Sequence, residues 1–235
     1  MRMNCQINAI IPLAKYIYKV KLRPDCCVAF KAGQYITTEI ELKKKHFSIA
    51  SSPFELDTLD LHIGSSILDE STVLMLNMFQ DHFEKGKGID IEGPYGNAWL
   101  RKENGRPILL IAGGTGISYT YCILKSCVLQ KLLQPIHMYW GVKNYSLLYI
   151  HDELMDLSKQ YNNIRYIPVL ESFNKTKSYK TGTVLDVVMQ EFNCLKNYDI
   201  YLCGSVEMIK SIHQNLCKEK KAQESQMYAD AFDYL

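Results

Sequence analysis

The sequence predicts a chain in two parts: an antiparallel β-barrel, then a parallel sheet with helices on both faces. Three observations predict it. From Gln6 to about Pro94, short strand-like runs bounded by turn residues follow one another with little helical period. Beyond Arg106, buried strand runs alternate with helical patterns, as βα units do. Between the two lies RKENGR, residues 101–106, a charged and turn-rich connection. It sets the expected domains at 1–102 and 103–235.

In the first part, Tyr16 to Leu22 alternates and stops at Pro24 and Asp25. Gly33 opens GQYITTEIEL, a run rich in β-branched residues; HFSIASSP and LDLHIGSS read as the next strands. Only Thr72 to Phe79 has a helical pattern here, and Gly88 to Ile91 forms a last strand before GPYG. Five or six strands at this spacing suit a small barrel. The basic run Lys43 to Lys45 reads as a solvated loop, and His46 as a loop residue.

The second part opens on RPILLIAGGTGIS, residues 106–118. Ile108 to Ala112 is an unbroken apolar run, the pattern of a strand covered on both faces. Gly113, Gly114 and Gly116 follow, then an apolar helical face at Ile117, Tyr121 and Leu124. A glycine turn at a helix N-terminus offers free N–H groups to an anion; it also serves simply as a tight strand-to-helix turn. Further strands are expected at Ile136 to Gly141, Ile164 to Val169 and Asp199 to Cys203, and helices at Ile117 to Leu133, Asp152 to Gln160, Val184 to Phe192 and Val206 to Lys220. The result is a Rossmann-like sheet whose ligand lies beyond the carboxyl ends of its strands. Three of those strands end in glycine, at Gly113, Gly141 and Gly204, so one elongated ligand such as a dinucleotide is expected to lie across that rim.

The 235 residues carry a formal net charge of +2, which gives no case for nucleic acid. The first ten residues lack a signal-peptide core, and the one long uncharged stretch, Pro107 to Leu124, is interrupted by glycines and hydroxyl residues, so a cytoplasmic protein without a membrane span is expected. The eight cysteines form no CxxC pair and no iron-sulfur run; reduced thiols and no metal are expected.

HFSIAS, then LHIG, GPYG, GGTGIS, YWG and CG-x-x-x-M, in that order, resemble the ferredoxin-NADP reductase family, and most nearly its bacterial NAD(P)H-flavin reductases. AGQY at 32–35, AWL at 98–100, TGTVL at 181–185 and DAF at 230–232 extend the resemblance over nearly the whole chain. It implies a flavin-binding barrel and a domain for NADPH or NADH. The residues from Lys45 to Ser48 match an Arg-x-Tyr/Phe-Ser/Thr motif in which the aromatic residue, here Phe47, shapes the flavin site and the hydroxyl of Ser48 approaches flavin N5. On the bare sequence Ser48 reads equally as a strand serine bonded to backbone. Lys45 departs from the motif: an ammonium is one mobile point charge where a guanidinium clasps two oxygens, which points to weaker phosphate or ribityl contacts and an exchangeable flavin.

The resemblance further places backbone of Ile63, Gly64 and Ser65 against the flavin ring, and assigns Ala112, Gly113, Gly114, Thr115, Gly116 and Ser118 to the pyrophosphate and Cys203 and Gly204 to the nicotinamide. His62 takes a barrel-exterior role and Trp140 a core one. Lys143 and Lys177 are candidates for a 2′-phosphate or plain surface charge, and Asp230 and Phe232 for a segment closing over the site. The implied activity is hydride transfer from NADPH or NADH to riboflavin, FMN or FAD, the reduced flavin then serving ferric complexes, cobalamins or a flavin-dependent oxygenase. Two alternatives remain open: a reductase that retains FAD and passes electrons to a protein such as a ferredoxin, and a nucleotide-binding module without turnover.

Overall fold

The computed structural model describes residues 1–55, 57–103, 105–172 and 179–234, Tyr234 by its backbone alone. The chain forms two compact units, residues 1–100 with 121–130, and residues 101–120 with 131–235.

The first unit is a curled antiparallel sheet. Its strands are β1 (Arg2–Ala14), β2 (Ile17–Pro24), β3 (Tyr35–Ile40), β4 (Lys43–Ser48), β5 (Leu59–Gly64) and β6 (Ile89–Tyr95), in the order β4-β3-β6-β1-β2-β5. The two outer strands meet just past Ser48, where Ile49 bridges to Leu61 and the Ala50 amide donates to the Asp60 carbonyl at 2.7 Å. Leu61 and Ile63 of β5, Ile36 of β3, Ile91 of β6 and Leu22 of β2 fill the interior. The helix α1 (Glu70–Glu84) closes it with Met75 and Phe79. Asp69 caps that helix by accepting from the Thr72 amide at 2.7 Å, which is why it starts two residues ahead of the expected Thr72.

Lys43, Lys44 and Lys45 are not a loop. With His46 they form the first four residues of β4, because the reversal needs only Glu41 and Leu42, both in left-handed backbone (φ 48° and 61°). The last barrel strand likewise runs on through Gly93 and Pro94 to Tyr95.

The second unit is an all-parallel sheet of β7 (Ile108–Gly113), β8 (Ile136–Val142), β9 (Ile164–Leu170), β10 (Lys180–Thr181), β11 (Asp199–Cys203) and β12 (Met227–Tyr228), in the order β10-β9-β8-β7-β11-β12. The two-residue β10 and β12 carry too little pattern to be read from sequence. Helix α2 (Ile117–Leu129) ends four residues short of the expected Leu133, and its residues from Tyr121 onward belong to the first unit. It is buried on nearly every side, so its pattern was broader than one apolar stripe. Helix α3 (His151–Gln160) faces Tyr166 on one side of the sheet, its His151 Nδ1 lying 3.3 Å from the Tyr166 hydroxyl. Helices α4 (Val184–Glu191) and α5 (Val206–Lys220) pack on the opposite side, where Val187, Val188, Ile209 and Ile212 meet Leu109, Ile111, Tyr139 and Leu202.

The sheet grows from β7 toward β10 on one side and toward β12 on the other. Its switch point therefore lies at β7, and the carboxyl ends there are where an open α/β sheet takes its ligand.

Candidate functional site

In the parallel sheet the glycine rim exists in register. Gly113 pairs with Gly141, and Ala112 pairs with Cys203, which places Gly204 one residue beyond on the far side of β7. The three glycines thus occupy neighbouring strand ends at the switch point. Each is small for a specific reason. A Cβ at Gly113 would meet Met208 Sδ at 2.6 Å, one at Gly204 would meet the same side chain at 2.7 Å, and one at Gly141 would meet Val184 at 3.1 Å. A Cβ at Gly116 would lie 2.6 Å from the Cys203 carbonyl oxygen, so the turn after β7 sits directly against the end of β11.

Gly114 alone opens outward. Its φ is +54°, and nothing lies within 4 Å of where a Cβ would be. The turn is pinned from below, where Trp140 Nε1 donates to the Gly114 carbonyl at 2.9 Å. Trp140 is fully buried, as its position in a covered strand predicts. Gly114 and Thr115 form the outward lip. Ser118 does not join them: it is buried, its hydroxyl donates to the Thr115 carbonyl at 3.1 Å, and it hydrogen-bonds the buried Tyr149, whose phenol burial pushes up. Its role in the structure is to hold the turn.

Ala112 is wholly buried under this rim, and Cys203 is half-buried at the end of β11. Lys143 follows β8 and hands its carbonyl to the Ser172 hydroxyl at 2.6 Å. Lys177 lies outside the described residues. At the C-terminus Phe232 sets its ring edge-on to His213 at 5.1 Å and packs against the α4/α5 core.

In the barrel, alternation along β4 separates the candidates. Phe47 points inward and meets Phe79 edge-to-face at 6.0 Å, so it is a core contact. Ser48 points the other way, half-buried, directly opposite Tyr35 on β3. The Tyr35 ring in turn lies 5.2 Å from His46 and 5.9 Å from Tyr95. Ser48 therefore borders a shelf of three rings. AGQY and GPYG contain Tyr35 and Tyr95, but an aromatic residue on a strand more often packs in a core, so the sequence alone does not mark either.

Lys45 donates to the Ser71 hydroxyl at 2.9 Å, which holds its ammonium over the first turn of α1. One ammonium is a single point charge, which suits one phosphate or ribityl oxygen, and it stands close enough to the capping Asp69 carboxylate to join the Thr72 hydrogen bonds in holding that carboxyl below its ordinary range. Ile63 is a core residue of the barrel. Gly64 has φ +130°, and a Cβ there would strike the Tyr16 carbonyl. The Ser65 amide donates to that same carbonyl at 3.3 Å, so the loop's backbone is already tied to the turn between β1 and β2. His62 alternates away from the barrel core as expected, but it is not solvated: Tyr121 stacks over it at 6.2 Å, and burial drives its imidazole down to about 3.

A family model described as oxidoreductase NAD-binding domain matches residues 110–214. A probable flavin reductase of Photobacterium leiognathi is 43% identical over 234 residues, covering 100% of both chains. An NAD(P)H-flavin reductase of Vibrio harveyi is 38% identical, again over the full length of both. Among solved structures, the Amycolatopsis cytochrome P450 reductase GcoB superposes with a TM-score of 0.88 at 20% identity, over 98% of this chain and 69% of that one, and shares the fold. No described helix is long and apolar enough to cross a membrane. By full-length identity, with a two-part fold to match, the chain belongs to the flavin reductases, NAD(P)H-dependent oxidoreductases of the ferredoxin-NADP reductase family.

Proposed function

We propose that the protein oxidises NADPH or NADH and reduces free riboflavin, FMN or FAD, with residues 1–102 holding the flavin and residues 103–235 the nicotinamide dinucleotide. The observation that carries this is the run of in-register glycines at the switch point of the parallel sheet, with one outward lip at Gly114. The dinucleotide supplies a hydride from nicotinamide C4 and the flavin accepts it at N5.

The chain's own residues provide the setting. Gly114 offers backbone to a diphosphate with open space where a Cβ would stand, and Thr115 follows it at the lip. Cys203 and Gly204 keep the end of β11 narrow. Ser48 presents a hydroxyl able to donate to or accept from a ring nitrogen, beside the Tyr35, His46 and Tyr95 rings. Lys45 anchors one oxygen of the flavin side chain through a single mobile charge, which supports release of the flavin after reduction. The released flavin then serves ferric complexes, cobalamins or a flavin-dependent oxygenase.

Steady-state oxidation of NADPH and of NADH against the three flavins tests the reading, together with the flavin content of the purified protein. Flavin-dependent oxidation by colourless protein supports it. Stoichiometric FAD surviving dialysis would favour the FAD-retaining reductase, and no oxidation at all would favour a binding module.

A further inference from the structure

Away from the glycine rim, α5 carries His213 and Cys217 one helical turn apart, so both point from one face. The helix ends at Lys221 in left-handed backbone (φ 58°), and the chain doubles back through a short turn that begins at Glu224. That reversal brings the Glu224 carboxylate to the helix face: one imidazole nitrogen, the Cys217 sulfur and one carboxylate oxygen all lie within 4.8 Å of one another. We propose that His213, Cys217 and Glu224 form a zinc site that clamps the end of α5 to the segment leading into β12.

The donor set argues for the ion. Nitrogen, thiolate sulfur and carboxylate oxygen together suit a borderline cation such as Zn²⁺, and two ligands four residues apart on a helix with a third from a following turn is a workable tripod. Tetrahedral zinc with bonds of about 2.0–2.3 Å holds its ligand atoms roughly 3.3–3.8 Å apart, so binding would draw atoms that now lie within 4.8 Å of one another closer together. Water completes the fourth position.

Binding displaces the thiol proton to solvent and leaves a zinc-sulfur bond; nothing is oxidised or reduced. Met227 Sδ lies 3.6 Å from the Cys217 sulfur. A thioether is a poor zinc ligand but a good one for Cu(I), so the same pocket would recruit Met227 only for the softer ion. Phe232 lies edge-on to the His213 ring, so fixing that ring also fixes what the C-terminal turn packs against.

Titrating the full chain with Zn²⁺ under reducing conditions, by calorimetry and by thermal melting, should show one equivalent bound and a raised Tm. Co²⁺ in its place should give a thiolate-to-metal charge-transfer band and visible bands of tetrahedral intensity. Cys217→Ser should abolish the charge-transfer band and weaken zinc by roughly 100-fold or more. Glu224→Gln, at an exposed position that leaves the fold intact, should weaken zinc while keeping the band. The vicinal exposed pair Cys26 and Cys27 is the internal control: replacing both with serine should change neither. Binding lost with Cys26 and Cys27 but kept in Cys217→Ser, or no saturable first equivalent, would overturn the assignment. Cu(I) binding that requires Met227 while Zn²⁺ fails to saturate would overturn it equally.

Discussion

Replacing Gly116 with alanine tests whether the turn after β7 is seated against the end of β11. The added Cβ would lie 2.6 Å from the Cys203 carbonyl oxygen, 2.8 Å from its carbon and 3.1 Å from the Gly204 nitrogen. All three are backbone, so no side chain can swing away. Restoring an ordinary 3.4 Å contact from 2.6 Å moves the turn by roughly 0.8 Å. Overpacking of this kind costs about 1–3 kcal/mol, which in a chain of this size lowers Tm by roughly 2–12 °C. A displacement approaching an ångström at a positioning loop should also raise the KM for NADPH by about tenfold or more while the KM for flavin stays put. Gly113→Ala is the matched control, because its close neighbour is the flexible end of Met208; it should cost under about 1 kcal/mol. Differential scanning calorimetry and steady-state kinetics on both variants decide it. A Gly116→Ala protein with native Tm and native NADPH KM, or one no worse than Gly113→Ala, would refute the packing argument.

Ser48→Ala should lower kcat by about 5- to 100-fold, the worth of one hydrogen bond to a polar group, with little change in NADPH affinity measured by fluorescence titration. Lys45→Arg should tighten flavin several-fold, read as a lower flavin KM, since a guanidinium can clasp two oxygens where the ammonium holds one. His62 predicts an acid-sensitive barrel. Its folded-state value lies near 3 against an ordinary 6.5, so below 6.5 the unfolded chain takes up a proton that the folded chain refuses. Its contribution is complete above 6.5 and lost progressively toward 3, at a limit of about 1.4 kcal/mol per pH unit. Urea unfolding at pH 7 and pH 5 should show this slope in the wild type and lose that part of it in His62→Phe, which keeps a ring under Tyr121.

Much of the architecture was legible because it rests on local pattern. The apolar run at Ile108 and the helix starting at Val206 are where periodicity puts them, and in the structure Ser205 caps that helix by accepting from the Met208 amide. What pattern could not supply was depth. Lys43 to Lys45 reads as a charged loop until the two-residue left-handed turn at Glu41 and Leu42 pulls the whole run into β4. His62 was placed on the correct face, yet only the tertiary placement of Tyr121 shows that this face is covered. The glycines tell a similar story. Sequence leaves the turn glycines open as a phosphate cradle or a plain tight turn, whereas in the structure Gly113 and Gly204 make room for Met208 and Gly116 for backbone, leaving Gly114 as the open one at this rim. The M of CG-x-x-x-M was in the motif, but its reason for being there is visible only once α5 is laid against the rim. The cluster of His213, Cys217 and Glu224 escaped for a different reason: a search for CxxC spacing does not find ligands joined by a helical turn and a reversal.

The most direct test of the central claim is to mix the purified chain, free of bound flavin, with NADPH and riboflavin without oxygen and follow both spectra. The account predicts that the nicotinamide absorbance falls and the flavin bleaches in equal amounts, over many turnovers per protein, and that both changes slow together in Ser48→Ala. Oxidation that proceeds without added flavin, or a flavin spectrum untouched while the nicotinamide binds, would contradict it.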